Sequence, residues 1–280
     1  MYLKTKKREE LTMVKTMLGN ALHAVMRGPL KDLTEKLMGP EGEAWEVALK
    51  RFLRKENPWQ ASPKKKDSAV ARAINVLGER RVFTPECVAE SLNPLRKRAG
   101  LQPLVPPQGV SVPYSHEVLK QYAGGKWLLV YSYGISLREQ RLMAGVDSSQ
   151  QPCFYNNDWW LKPKEDSWAT KGVKPGWYLV STEGRFGSQT WNQQEQSIRD
   201  FGESYERADE HLMGEVCLSA HLINEGERLL ENFYHWGKSL DSDGDRVRVG
   251  AFDRDGLRVS NGWVGSSYGY LRVCLSRKFQ

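Results

Sequence analysis

The sequence predicts an α+β protein whose helices come first and whose strands come last. Three observations predict it. Apolar residues in the first hundred positions recur at steps of three and four, those near the C-terminus alternate, and prolines crowd the stretch 100–115 between them. With 280 residues, 40% hydrophobic and 27% charged, the chain has the composition of a globular protein of one or two domains. That excludes a disordered, collagen-like or membrane-embedded chain. Its 10 Trp, 11 Tyr and 8 Phe supply core bulk, but Trp is also a residue of binding surfaces.

The elements follow from local chemistry. Leu11, Val14, Leu18, Leu22 and Met26 form one stripe of a helix over 9–27, ended by Gly28-Pro29. A short helix over 30–38 stops at Gly39-Pro40, and a third covers 43–54. A polar, basic linker near 56–67 cannot bury a face. Residues 68–79 are helical again, Val82-Phe83 is extended, and Thr84-Pro85 is a hydroxyl cap followed by a first-turn proline. Prolines 103, 106, 107 and 113 mark a crossing, and a domain boundary is placed near residue 110.

Beyond it, residues 127–133 (WLLVYSY) form an apolar strand. Ser136, with Glu139 three places on, starts a helix over 136–144. Residues 151–187 mix aromatics with Gly, Pro and Asn, which suits short strands and long loops. Helical period then runs over 191–224. Val247 and Val249, the turn Asp253-Arg254-Asp255-Gly256, and Leu257 and Val259 spell a hairpin. Leu271, Val273 and Leu275 alternate in a last strand.

Charge is uneven: residues 1–100 carry 21 Lys+Arg against 12 Asp+Glu, and the rest carry 20 against 22. The basic clusters are Lys4, Lys6, Lys7, Arg8; Lys64, Lys65, Lys66; and Arg96, Lys97, Arg98. They fit either a nucleic-acid footprint or a solvated tail, linker and helix end. No zinc-finger spacing or P-loop accompanies them. Cys87, Cys153, Cys217 and Cys274 are widely spaced, so free thiols are expected rather than disulfides or zinc. No long apolar run or signal-peptide core exists, so a cytoplasmic protein without membrane attachment is expected.

Catalytic and metal patterns are weak. Asp241, Asp243 and Asp245 have EF-hand-like spacing, but Arg246 and Phe252 occupy the positions that need Gly and Glu. His211 and His221 lie about 15 Å apart along one predicted helix, too far to share an ion. No nucleophile motif is present. No cofactor, metal or catalytic residue is therefore assigned. Residues 260–270 (SNGWVGSSYGY) differ: Tyr and Trp among Ser, Asn and Gly is the composition of antibody contact loops. The same composition also fits a glycine-rich loop with its aromatics folded inward.

The stretch GDRVRVGAFDRDGLRV…GYLRVCLSRKF (244–279) resembles the end of a C-type lectin fold, where relatives of the formylglycine-generating enzyme close with a strand of the Gly-Phe-Arg-Val-Cys-Arg kind. It is still more similar to variable proteins of diversity-generating retroelements, whose diversified positions crowd the C-terminus between fixed strand residues. FLRKENPW (52–59) and YHWGKSLDSDGDRV (234–247) look like parts of proteins from candidate-phylum bacteria. The resemblance implies a C-type-lectin-like domain over 111–280, with two helices, near 136–144 and 191–224, on a twisted antiparallel sheet. A helical, basic domain over 1–110 would precede it. It also implies a binding protein, because the reactive cysteine pair and the histidine-rich ligand set of the enzymes on this scaffold are missing. The implied contact residues are Arg248, Ala251, Asn261, Gly262, Trp263, Val264, Ser266, Ser267, Tyr268 and Tyr270. Ala251 joins Arg248 only if Gly250 marks a bulge. Trp263 and Leu271 are expected to anchor the scaffold. The expected partner is a protein or other macromolecule. The rivals are an enzyme using Cys274 or a carboxylate, and a nucleic-acid-associated protein acting through the basic N-terminal part.

Overall fold

The computed structural model describes residues 35–53 and 68–278, and two mixed sheets organise the second of these stretches. The chain divides into compact units at Lys65 and Lys66. In the first, residues 35–38 are helical and α1 covers Gly42–Leu53. The helix expected over 9–27, the basic clusters at 4–8 and 64–66, and the linker near 56–67 lie outside the described residues.

In chain order the second unit runs α2 (Ser68–Leu77), β1 (Val82–Phe83), α3 (Pro85–Arg98), α4 (His116–Lys120), β2 (Trp127–Ser132) and α5 (Leu137–Ala144). It continues with α6 (Asp166–Ala169), β3 (Gly176–Ser181), α7 (Trp191–Phe201), β4 (Tyr205–Arg207) and α8 (Glu210–Ile223). It ends with β5 (Tyr234–Leu240), β6 (Arg246–Asp253), β7 (Gly256–Gly262), β8 (Leu271–Arg272) and β9 (Leu275–Arg277). The caps read from the sequence are present. The Thr84 hydroxyl accepts from the Cys87 N–H, and the Ser136 hydroxyl accepts from the Glu139 N–H.

The boundary expected near residue 110 lies inside this unit. β1 pairs in parallel with β2, and α3 packs on α5 and α8. Val88, Leu92 and Leu95 share one apolar cluster with Leu128, Val130 and Val216. Prolines announce an extended chain but not a gap in packing. The basic helix end at Arg96, Lys97 and Arg98 is divided, with Lys97 and Arg98 exposed and Arg96 turned inward. Arg96 is buried, with Glu139 and the Gln102 carbonyl as acceptors, and Arg98 donates to Gln150.

The sheets have the orders β1-β2-β3-β9-β4 and β7-β6-β5-β8. One twisted antiparallel sheet was the expectation; there are two, and each carries one parallel pair at its edge, β1 with β2 and β8 with β5. The last strand divides between them. β8 pairs with β5, and three residues later β9 pairs with β3 and β4. Leu271, Val273, Cys274 and Leu275 are all fully buried, because a chain crossing between two sheets has core on both sides.

The helix expected over 191–224 is also two elements. Gly202, at φ 147°, closes α7; β4 then pairs with β9; and the Asp209 side chain caps α8. Of the short strands expected over 151–187, only β3 forms among named strands, while Trp160 and Trp168 fill the core from two short helical turns. Among the described residues, no helix is long and apolar enough to cross a membrane.

Candidate binding surface

The β6–β7 hairpin sets the surface. Alternation buries Val247, Val249 and Val259 and leaves Arg246, Arg248 and Ser260 on the opposite face. Arg248 pairs across to Ser260, whose hydroxyl accepts from its Nη2 at 3.2 Å. The pairing slips after Gly250 (φ 147°), and Ala251 takes φ 45° and is half-exposed. This is the bulge that Ala251 needed.

Guanidiniums and rings are layered along this face. Arg248 lies 4.9 Å over the Tyr234 ring, and Arg258 lies 3.9 Å over Tyr155. Tyr234 meets Tyr270 at 6.4 Å, and Tyr270 stacks on Tyr268 at 5.3 Å with the planes 3° apart. At the other end Arg246 covers the Trp191 ring at 3.9 Å, with Arg207 against the same ring at 4.6 Å. Each cation-ring contact contributes about 0.5–1 kcal/mol where water reaches it.

The loop 263–270 is fixed through its backbone. The Val264 carbonyl accepts from Trp191 N–H at 3.1 Å, the Tyr270 carbonyl from Tyr234 N–H at 2.8 Å, and the Tyr268 carbonyl from Leu271 N–H at 2.9 Å. Ser266 N–H donates to the Trp263 carbonyl at 2.9 Å. Gly265 lies under the Trp263 ring, where any Cβ would collide with it. Main chain therefore holds the loop, and its side chains remain outside: Trp263 is 68% exposed, Tyr268 57% and Tyr270 45%.

Of the residues read from sequence, Arg248, Tyr268 and Tyr270 are brought together around Tyr234. Gly262 sits beside Arg248, and a Cβ there would lie 3.3 Å from Nη1. Ser267 is exposed, while Ser266 and Val264 are half-buried. Asn261 is engaged inside the chain, its Nδ2 donating to Asp241 at 2.6 Å. Leu271 is scaffold, fully buried. Trp263 is not the anchor that was expected; the buried indole of this sheet is Trp236. Tyr234, Tyr155, Arg258 and Trp191 were missed. Tyr234 carried a usable signal, since it alternates with buried His235 at the start of β5. Tyr155 lies too far along the chain from Arg258 to carry one.

Other chemistry is already committed. Asp209, Glu210 and His211 place one ligand atom each within 4.8 Å. His211 Nδ1, however, accepts the Leu137 N–H at 2.9 Å, so its proton sits on Nε2, and a protonated nitrogen holds no metal. Glu210 accepts the N–H groups of Lys238 and Ser239, and Asp209 caps α8. Asp241 spends one oxygen on the N–H groups of Asp243 and Asp245, which makes the aspartate run a turn. Cys274 is fully buried, and burial pushes its thiol up, away from the reactive thiolate. Burial raises Glu215 to about 7, although Ser132 and the 133–135 backbone donate to it. Burial, with Arg207 second, holds His235 down at about 3; it accepts the Cys274 N–H and faces the Ala208 carbonyl.

Comparison with protein families, with curated proteins and with solved structures returned no match for this chain.

Proposed function

We propose that the second unit is a ligand-binding domain of the C-type-lectin kind, akin to the variable proteins of diversity-generating retroelements. Its contact face is the β6–β7 hairpin with the loop 263–270, and its ligand is a macromolecule, in the first place a protein. One observation carries the reading. Three large aromatics, Trp263, Tyr268 and Tyr270, stand exposed on a loop that is held by its own main chain. Rings of this kind give rigid contact area at low entropy cost, and Tyr, Trp and Arg dominate interface hot spots. A backbone-anchored loop also tolerates changes in its side chains, which a diversified surface requires.

The test is a display library of the full chain randomised at Arg248, Ser266, Ser267, Tyr268 and Tyr270, selected against an arbitrary folded protein such as lysozyme. Most members should stay folded, and specific binders should emerge. A second library, randomised at the buried Val247, Val249, Val259 and Leu271, should be mostly unfolded. Equal loss of folding in both libraries overturns the proposal.

A further inference from the structure

On the basis of that reading, we infer that the face formed by Arg246, Arg248 and the tyrosines recognises an acidic protein segment, with carboxylates seated on the arginine edges. Ion pairs show where the positive charge is left over. Arg258 is neutralised by Asp253 at 3.0 Å and Asp255 at 3.6 Å. Lys238, on the neighbouring strand, is paired with Glu206 at 3.2 Å. Among the described residues, neither Arg246 nor Arg248 has a carboxylate within the 4.0 Å of an ion pair; Glu195 and Glu210 act on Arg246 from farther off, so the charge left over is chiefly that of Arg248. Their acceptors are neutral, the Lys238 carbonyl and the Ser260 hydroxyl. The Nε–H of each is buried and finds no acceptor, so the Nη groups are the donors left to meet a ligand.

Geometry then selects the kind of anion. Each guanidinium lies over a ring, Trp191 or Tyr234, and its Nε–H is buried, so the terminal Nη edge rather than the covered flat face remains to bind. Two N–H groups in one plane match the two oxygens of a carboxylate. Single-stranded nucleic acid needs open ring faces on which bases stack. Tyr268 and Tyr270 lie parallel with centroids 5.3 Å apart, which leaves no slot for a base between them. Exposed Tyr and Trp beside unpaired Arg is instead the residue set enriched in protein interfaces.

The experiment uses the full chain and three labelled probes: an oligo-glutamate peptide bearing one Phe, the oligo-lysine equivalent, and oligothymidylate. The glutamate peptide should bind, the lysine peptide should not, and Arg246→Gln with Arg248→Gln should weaken the glutamate peptide at least about tenfold, or about 1.4 kcal/mol. Unchanged binding by that variant overturns the inference, because the basic N-terminal third would then be the binder. Tighter binding of oligothymidylate, lost in the same variant, overturns it in favour of nucleic acid. If the double variant unfolds, the indole resonance of Trp263, assigned with Trp263→Phe, gives the answer on the unaltered chain. A shift on adding the glutamate peptide supports the inference, and no shift refutes it. These failures leave the binding-domain reading intact if the randomised surface library still folds and yields binders.

Discussion

Replacing Tyr268 and Tyr270 together by Ala separates a contact surface from a core. Roughly half of each ring is already in water (57% and 45% exposed). Full burial of a large apolar side chain is worth about 1.5–3 kcal/mol, so each truncation forfeits about 1 kcal/mol. The mutual stack adds about 1 kcal/mol. The backbone bonds that hold the loop involve the carbonyls of Tyr268 and Tyr270 and survive the change. The pair should therefore cost about 2–3 kcal/mol in total. Trp236→Ala, which removes a fully buried indole from the same sheet, should cost about 3–5 kcal/mol alone. Urea unfolding of the full chain gives both values from the shift in midpoint at constant slope. Should either tyrosine alone cost as much as Trp236, the rings are structural and the surface reading fails.

Further outcomes follow from buried groups and close approaches. His235 is held at about 3, below its ordinary 6.5, so the unfolded chain takes up the proton first as pH falls; its contribution is complete above about 6.5 and is lost toward 3. Glu215 is raised from 4.5 to about 7, so the unfolded chain loses the proton first as pH rises; stability is highest below about 4.5 and declines up to 7. The two slopes oppose each other between 4.5 and 6.5. Unfolding free energies of Glu215→Gln against pH should therefore rise more steeply with pH across that window than those of the unaltered chain, and parallel curves would refute the assignment. Gly250→Ala would drive a Cβ into the Phe233 carbonyl at φ 147°, so a loss of at least about 2 kcal/mol is expected, measured by thermal melting. Thiol labelling of the native chain should leave Cys217 and Cys274 unmodified, since both are fully buried with raised thiols, and fast labelling of Cys274 would revive an enzymatic reading.

Local chemistry made much of the framework legible. The Thr84-Pro85 and Ser136–Glu139 helix starts, the WLLVYS strand and the Asp-Gly hairpin each depend on residues close in sequence, and each forms. The proposed contact face was legible in part, because alternation along β6 separates Arg246 and Arg248 from Val247 and Val249. The failures share a cause. Nothing in the helical period of 191–224 announces that β9, some seventy residues later, claims Tyr205–Arg207 as a strand. The alternation of Leu271, Val273 and Leu275 does not reveal a crossing between sheets. Prolines near 110 resembled a boundary, yet α3 packs on α8.

The sequence by itself determined where helices cap, where the hairpin turns, and which segment carries Tyr, Trp, Ser and Gly in contact-loop proportions. These follow from backbone preference and side-chain period, which act over a few residues. Tertiary structure alone decided that Trp263 is exposed while Trp236 is buried, that Tyr155 joins Arg258, and that Arg248 reaches Tyr234 but no carboxylate among the described residues. Burial and charge pairing depend on which distant segments meet, and that is set by the packing of the whole unit.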